Sequence, residues 1–455
     1  MRILHTIQAS IFDVYSDHQI GRELKAMSAF LDRHPELVKW VAMDLHLKDV
    51  YGTGRQGLSA ESVMRCALLK QMRELSYQEL AFHLSDSNSF QAFARLSPTF
   101  FPKKSVLQST ISRLTAETWE RINQCVLNEA IDLKLERAQT IRIDSTVTET
   151  PIHEPTDSSL LNDCVRVMVR LLKQATQLSG SVCFDYQNHS RLANRRAHKI
   201  FHTKGMGKDK VDLYEDLVQA TSKTLGYLER AEMAVHIGCS NALASELWNA
   251  EVSRFKPLIQ SVIDQTQRRV FNGEKVPAEQ KVFSIFEKHT DIIIKGSREI
   301  QYGHKLNLSS GKSGLILDVV IEQGNPADTD RLQPMLERHI ARFGVAPRQV
   351  AADGGYASGA NLDAVKELGV EDMAFNKKRG LNIADMVKSP GIYRRLRNFR
   401  AGIEANISCL KRAYGLARCT WKGIKHFTAY IWSSVVSYNL TVMARLLLSS
   451  IKPVS

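Results

Sequence analysis

The sequence predicts an α/β protein in which a mixed sheet flanked by helices is interrupted once by a long helical insertion. Residues 1 to about 135 repeat apolar side chains at three- and four-residue spacing and contain almost no strand pattern. A β-branched, alternating run follows at 139–148, and strand patterns return only after about residue 280. This order of elements is typical of a helix-flanked sheet with one insertion.

The N-terminal region, residues 1–135, predicts a helical domain with periodic segments at 18–31, 59–74, 76–84 and 117–133. Ser76 and Glu79 form a capping box at the start of one of them. Lys103 and Lys104 open a further predicted helix, 103–114, with small polar residues near its start. Such a helix can enter a DNA groove, as in helix-turn-helix proteins, or belong to a solvated helical bundle.

The run 139–148 predicts a strand with Arg142 and Asp144 on one side and Ile141 and Ile143 on the other. A carboxylate in the middle of a strand costs free energy unless another group pairs with it or it coordinates a cation. Asp144 is therefore a candidate functional residue.

The insertion, residues 151–280, contains helical patterns at 159–177, 212–229 and 241–269, the last with Pro257 inside it. A basic segment between the first two includes Arg195 and Arg196. A solvated basic face and a helical hairpin resting on DNA phosphates are equally compatible with this pattern.

After the insertion the pattern predicts strands at 282–286, 300–308 and 314–321, the last two as an antiparallel hairpin. A helix at 330–343, a strand that ends at Asp353, a helix at 361–368, a short strand at 373–375 and a helix containing Glu404 follow. The predicted core is therefore 136–150 plus 281–425. Residues 426–455 predict a buried C-terminal helix, because polar residues interrupt its apolar run too often for a membrane span.

Three acidic residues, Asp144, Asp353 and Glu404, lie in two strands and one helix. Phosphodiester cleavage needs an activated water and stabilised oxygens, and two Mg²⁺ ions about 3.5–4 Å apart supply both. Magnesium prefers oxygen ligands, so a few carboxylates are enough to bind it. Arg400 and Lys411 share a helix face with Glu404 and can hold phosphate oxygens. An ordinary Arg400–Glu404 ion pair on a solvated helix is the alternative.

Positive charge is concentrated in one segment. The chain has 61 Lys and Arg against 48 Asp and Glu, and 13 of these basic residues lie between Lys377 and Lys425 with only Asp385 and Glu404 opposing them. This distribution favours a nucleic-acid contact over a uniform solubility margin. Arg397, Arg418 and Lys422 are candidate DNA contacts there. Seven scattered cysteines without Cys-x-x-Cys indicate reduced thiols in a cytosolic protein, without a zinc site.

These residues resemble the insertion-sequence DDE transposases, specifically an ISNCY-like branch. The matching stretches are 143–147, 155–158, 302–305, 311–318, 324–328, 352–356, 400–411 and 419–423. The family signature Tyr-x-x-Arg-x-x-x-Glu-x-x-x-x-x-x-Lys maps onto Arg400, Glu404 and Lys411. Arg397 occupies the position of its tyrosine, and Tyr393 lies four residues earlier, so a tyrosine role is not carried over.

The resemblance implies an RNase H-like core whose metal-binding, catalytic triad is Asp144, Asp353 and Glu404. It implies two Mg²⁺ ions, with Mn²⁺ able to substitute, and double-stranded DNA as partner, both the element's terminal inverted repeats and the target. It also implies a homodimer on DNA and a cytoplasmic, nucleoid-associated bacterial protein. Two alternatives stay open: an RNase H-like nuclease that cuts without joining, and a catalytically inactive DNA-binding protein.

Overall fold

The computed structural model describes residues 18–45, 57–97, 99–295 and 299–450. Residues 1–17 and 46–56 of the predicted N-terminal domain lie outside this description. The chain divides into two compact units. We call residues 1–151 and 293–455 the sheet unit, and residues 152–292 the helical unit.

The described part of the sheet unit begins with seven helices: α1 Gln19–Arg33, α2 Pro35–Leu45, α3 Ala60–Met72, α4 Tyr77–Asp86, α5 Asn88–Phe93, α6 Lys104–Ile111 and α7 Ala116–Asp132. The predicted capping box of α4 is confirmed, because the Ser76 hydroxyl accepts the Glu79 N–H and the Glu79 carboxylate accepts the Ser76 N–H. Helices α2 and α5 have no counterpart in the sequence prediction. Both are short, and short segments carry a weak periodic pattern.

Among the described residues the sheet contains six strands: β1 Thr140–Glu149, β2 Asp291–Lys295, β3 Glu299–Ser310, β4 Ile316–Ile321, β5 Gln349–Ala352 and β6 Asp372–Phe375. Helices α12 Leu332–Phe343, α13 Gly359–Glu367, α14 Ile383–Met386, α15 Pro390–Ala413 and α16 Ile424–Ser450 accompany them. The strand order is β2-β3-β1-β5-β6, and β4 also pairs with β3. Strands β3 and β4 form the predicted antiparallel hairpin.

Strand β1 lies at the centre, antiparallel to β3 and parallel to β5. Its Ile143 is paired with Ala352, the last residue of β5. Because the next residue in each strand is an aspartate, Asp144 and Asp353 become neighbours at the same level of the sheet. The predicted mixed sheet with a helical insertion after its first strand is confirmed, and it brings these two carboxylates together.

Two hydrophobic clusters stabilise the sheet unit. One joins α1–α7 and α16 to the β3–β4 hairpin, and the other joins β1, β5 and β6 to α12, α13 and α15. Helix α16 is long and apolar enough to cross a membrane, but 72% of its most apolar stretch is buried inside the protein. It is therefore a core helix, as its interrupted apolar pattern predicts.

The helical unit consists of α8 Asp157–Leu178, α9 Ser190–His202, α10 Lys208–Gly238 and α11 Ala242–Thr266, which pack around their own apolar core. The strand predicted at 282–286 is wrong. The Gln265 side chain accepts the Val282 N–H and donates to the Val282 carbonyl, so it takes the place of a neighbouring strand. Ile285 is buried among the helices, which explains the apolar pattern of this loop.

Candidate active site

The carboxylates of Asp144, Asp353 and Glu404 surround a single guanidinium group. Nη2 of Arg400 lies 2.8 Å from Asp144 Oδ2 and 3.4 Å from Asp353 Oδ1, and Nη1 donates to Glu404 Oε1. The simple Arg400–Glu404 helix pair that the spacing allows is present, but Arg400 also contacts the two strand aspartates. The three residues that the sequence predicts as one site therefore lie together.

The three acids differ in exposure. The side chain of Asp144 is 15% exposed, that of Asp353 38% and that of Glu404 61%. Asp144 belongs to the central strand, whereas Glu404 lies on a helix that covers the sheet. The site is therefore open on the Glu404 side, where a large substrate can approach it.

Helix α15 is fixed to the sheet by Arg142, two residues before Asp144 on the same side of β1. The Arg142 guanidinium donates to the Phe399 carbonyl at 3.0 Å and to Asn406 Oδ1 at 2.9 Å. Its Nε donates to Ser310 Oγ of β3 at 2.7 Å. Gly402 makes room for it, because a Cβ at that position would lie 1.8 Å from Arg142 Nη1. This arginine therefore positions the helix that carries Arg400 and Glu404.

Asp144 and Asp353 line a cleft of about 380 Å³ that also contains Lys305 and Asp328. The Lys305 ammonium lies 2.6 Å from Asp328 Oδ1 and donates to the Pro326 carbonyl at 2.7 Å. Asp328 also lies close to the backbone after β5, since a Cβ on Gly355 would be 2.7 Å from its Oδ2. Asp328 begins a 3₁₀ turn, and its carboxylate lines this cleft.

Tyr356 lies beneath the cleft, fully buried, and donates its hydroxyl to Asn307 Oδ1 at 2.7 Å. Burial raises the pKa of Tyr356 well above its usual value, and the nearby Asp328 and Asp144 carboxylates raise it further. The hydroxyl therefore stays protonated and acts as a donor. Tyr356 supports the turn that follows Asp353.

The donor set of this site suits a hard divalent cation. It offers carboxylate oxygens from three chain segments, and one guanidinium does not balance three carboxylates. Nε of Arg400 is buried without a hydrogen-bond partner among the described residues, so the arginine does not use all its donors here. Because Arg400 lies between them, the oxygens of the three carboxylates are too far apart to share one ion in this conformation. Among the described residues, three possible ligand atoms lie within 4.8 Å of one another at His34, Glu36 and Cys125.

The predicted DNA contacts fall into separate places. Arg397 is exposed on α15, whereas Lys411 on the same helix is half-buried, and burial lowers its pKa against the opposing effect of Glu149. Lys103 and Lys104 are exposed at the start of α6, and Arg418 and Lys422 are exposed before α16.

Arg195 and Arg196 lie on α9 of the helical unit. Arg195 is exposed, and Arg196 forms an ion pair with Asp216 at 2.9 Å. Part of this basic segment is thus neutralised within its own unit.

Tyr393 cannot replace the tyrosine that the family signature has at the position of Arg397. Its ring is buried and its hydroxyl donates to the Phe375 carbonyl at 2.9 Å. It therefore joins α15 to β6 and does not face solvent.

Three carboxylates on a central strand, its parallel neighbour and a covering helix are the arrangement expected of an RNase H-like, metal-dependent nuclease and transferase. Two family models match the chain: the Transposase DDE domain over residues 294–440 and the Transposase domain (DUF772) over residues 11–116. The chain belongs to the insertion-sequence DDE transposases. It catalyses transposition, and enzymes of this family generally use divalent metal ions and bind DNA.

The comparisons with curated proteins and with solved structures gave no match. The matched segments contain Asp353 and Glu404 but not Asp144, which the sheet register and the shared contact with Arg400 bring to them. The ISNCY-like branch stays a prediction. No observation favours a nuclease without joining activity or an inactive DNA-binding protein.

Proposed function

We propose that Asp144, Asp353 and Glu404 are the catalytic triad of this transposase and bind two Mg²⁺ ions, for which Mn²⁺ can substitute. The observation that carries the proposal is the single guanidinium of Arg400 shared by all three carboxylates. Three acids from remote chain segments converge on one cation, as a cation-binding centre requires. Ions bound there supply an activated water and stabilise charge on the attacking and leaving oxygens.

Arg400 has a second role in this proposal. In the described conformation it neutralises part of the acidic charge. With cations bound at the carboxylates, its guanidinium would be available to donate to phosphate oxygens of the DNA end. Its buried, unpartnered Nε supports this, because an arginine with unused donors has more hydrogen bonds to gain.

The DNA partner in this proposal is the element's terminal inverted repeat together with the target duplex. Exposed cations on α15, before α16 and at the start of α6 supply the phosphate contacts, with Arg195 of the helical unit as a further candidate. Two ends must be held during joining, so a homodimer on DNA is the expected assembly. We place it in the bacterial cytoplasm, associated with the nucleoid.

The test is the substitution Asp144→Asn, which removes one charge and little volume. With plasmid DNA carrying the element ends and Mg²⁺, end cleavage and strand transfer should both fall about a thousand-fold or more, because ion binding supplies several kcal/mol of transition-state stabilisation. End binding should change little, since phosphate contacts provide most of it.

The matched control is Asp363→Asn, an exposed carboxylate on α13 of the same unit. It should keep both activities. Cleavage by the Asp144→Asn protein at the control's rate would show that the active site lies elsewhere.

A further inference from the structure

A second cavity, of about 800 Å³, lies in the sheet unit between α3, the start of α4 and the segment 415–430. Its size falls within the range of small-molecule sites, roughly 300–1,000 Å³. Tyr77, Trp421 and Tyr430 line it, and the last two rings stand edge to face with centroids 5.5 Å apart. An aromatic wall of this kind suits a flat, unsaturated ring.

Lys70 of α3 places an ammonium group in this cavity. The residue is 6% exposed, and within the part of the chain that the structure describes its Nζ has no ion pair or hydrogen bond. It faces the rings of Tyr77 and Trp421, 5.0 and 5.9 Å from their centroids. Burial lowers its pKa to about 8. Buried lysines are normally paired, whereas this one has no direct acceptor and feels the Glu79 carboxylate only from beyond ion-pair distance.

Two further donors in the same wall are unmatched. Nε1 of Trp421, a residue only 8% exposed, and the Tyr77 hydroxyl are both buried without a hydrogen-bond partner among the described residues. Buried donors are rarely left unpaired in folded proteins. Three donors without acceptors, in a cavity lined by aromatic rings, point to a ligand that brings acceptor atoms and negative charge.

The lining of the cavity carries further charges of both signs. Arg418 and Lys422 supply two cations, and Glu74 and Glu79 supply two carboxylates. The Glu79 carboxylate already accepts the Ser76 N–H at 2.7 Å as the cap of α4. Gln108 of α6 also lines it, so the cavity lies beside the helix predicted to contact DNA.

We propose that this cavity binds one nucleotide unit, with its phosphate at Lys70, Arg418 and Lys422 and its base against Tyr77, Trp421 and Tyr430. Stacking on aromatic side chains is how proteins hold single unpaired bases. The base carbonyl and ring nitrogens supply acceptors for the Trp421 and Tyr77 donors. The unit is either a free nucleotide or a nucleotide turned out of a DNA strand. The second source rests on the DNA binding in the proposed function, whereas neither source requires the acidic triad to be the catalytic site.

The experiment is calorimetric titration of the full chain with three probes: deoxyadenosine monophosphate, a single-stranded oligodeoxyadenylate of eight nucleotides, and inorganic phosphate. The wild type should bind a nucleotide probe and bind phosphate far more weakly. Lys70→Met should weaken nucleotide binding about tenfold or more, since it removes a charge-assisted contact. Lys39→Met, an exposed lysine on α2, is the control and should change nothing.

The two nucleotide probes separate the two sources. Tighter, Lys70-dependent binding of the mononucleotide identifies a free nucleotide as the ligand, and tighter, Lys70-dependent binding of the oligonucleotide identifies a DNA strand. Equal affinities of wild type and Lys70→Met for both probes would overturn the proposal. So would phosphate binding as tight as nucleotide binding, because the aromatic wall would then contribute nothing.

Two further variants keep the result interpretable. Trp421→Phe retains an aromatic face and removes only the N–H, so it should weaken binding less than Lys70→Met while preserving the fold. Asp144→Asn should bind the nucleotide as the wild type does. Failure of the catalytic triad and failure of this cavity are therefore distinguishable, because each is tested by a variant that leaves the other site intact.

Discussion

The acidic cleft and the aromatic cavity lie in the same unit and treat charge in opposite ways. In the cleft, Arg400 contacts three carboxylates and Lys305 contacts a fourth, so negative charge is in excess. In the cavity, the Lys70 ammonium faces two aromatic rings, and the Glu79 carboxylate acts on it only from beyond ion-pair distance. A site short of positive charge attracts cations, and a site short of acceptors attracts an anion. The two regions therefore call for different ligands.

The largest effect expected outside the triad itself comes from Arg400→Ala. Without divalent cations, three carboxylates would remain close together and unneutralised. Breaking a buried ion pair by removing one partner costs about 3–5 kcal/mol, and the exposure of Glu404 places this case at the lower end, about 3 kcal/mol. Mg²⁺ or Mn²⁺ should restore much of that stability, because the ions would take over the role of the guanidinium.

Thermal unfolding with and without Mg²⁺ measures this difference. The rise in Tm on adding the ion should be larger in Arg400→Ala than in the wild type. Arg397→Ala, which removes an exposed arginine from the same helix, should give the wild-type response. If Mg²⁺ raises the Tm of Arg400→Ala and of the wild type equally, Arg400 does not occupy the cation position. The acidic cleft would then not differ from the aromatic cavity in its need for a cation.

Much of the cleft could be predicted from the sequence because its residues break local rules. An aspartate within a β-branched alternating run, and another directly after a short apolar strand, stand out where an apolar or turn residue is expected. Glu404 stands out in a basic helix. The contacts of Arg400 with Asp144 and Asp353 could not be predicted, because they depend on strand register and helix placement. The four-residue spacing along the helix predicts only the contact between Arg400 and Glu404.

The cavity offered a weaker signal. Lys70 lies in an ordinary helical pattern, and Trp421, beside Arg418 and Lys422, is compatible with base stacking or with packing, of which packing is favoured. Their proximity arises because α3 packs against α16 and because the segment after α15 pairs with the end of β1, where the Glu149 carbonyl accepts the Cys419 N–H. A missing partner is a property of three-dimensional packing. No residue pattern along the chain reveals it.

A smaller effect is expected from Gly402→Ala, which tests how the cleft is assembled. The added Cβ meets the tip of Arg142, so the clash is relieved only if the guanidinium moves away from the Phe399 carbonyl and Asn406. We expect a loss of about 2 kcal/mol in the free energy of unfolding, within the range of overpacked sites. End cleavage should fall as well, because α15 carries Arg400 and Glu404.

Gly391→Ala is the matched control, since it lies on the same helix and its Cβ would have 3.9 Å to the nearest atom. It should be neutral or stabilising by up to about 1 kcal/mol through helix propensity. Equal Tm values for the two alanine variants would show that Arg142 does not fix the helix.

The smallest effect concerns pH and tests the cavity. The pKa of Lys70, lowered to about 8 by burial, lies below its ordinary value of 10.5. Between these values the unfolded chain keeps the proton and the folded chain loses it, so stability should rise with pH in this window. Relative to Lys70→Met, the wild type should gain about 1 kcal/mol between pH 8 and pH 9. Over the same interval nucleotide binding should weaken, because the neutral amine no longer attracts phosphate.

Denaturant unfolding of the wild type and of Lys70→Met at pH 8 and pH 9 measures the gain in stability. If the difference in stability between the two proteins does not change with pH, Lys70 is not a buried, unpaired ammonium.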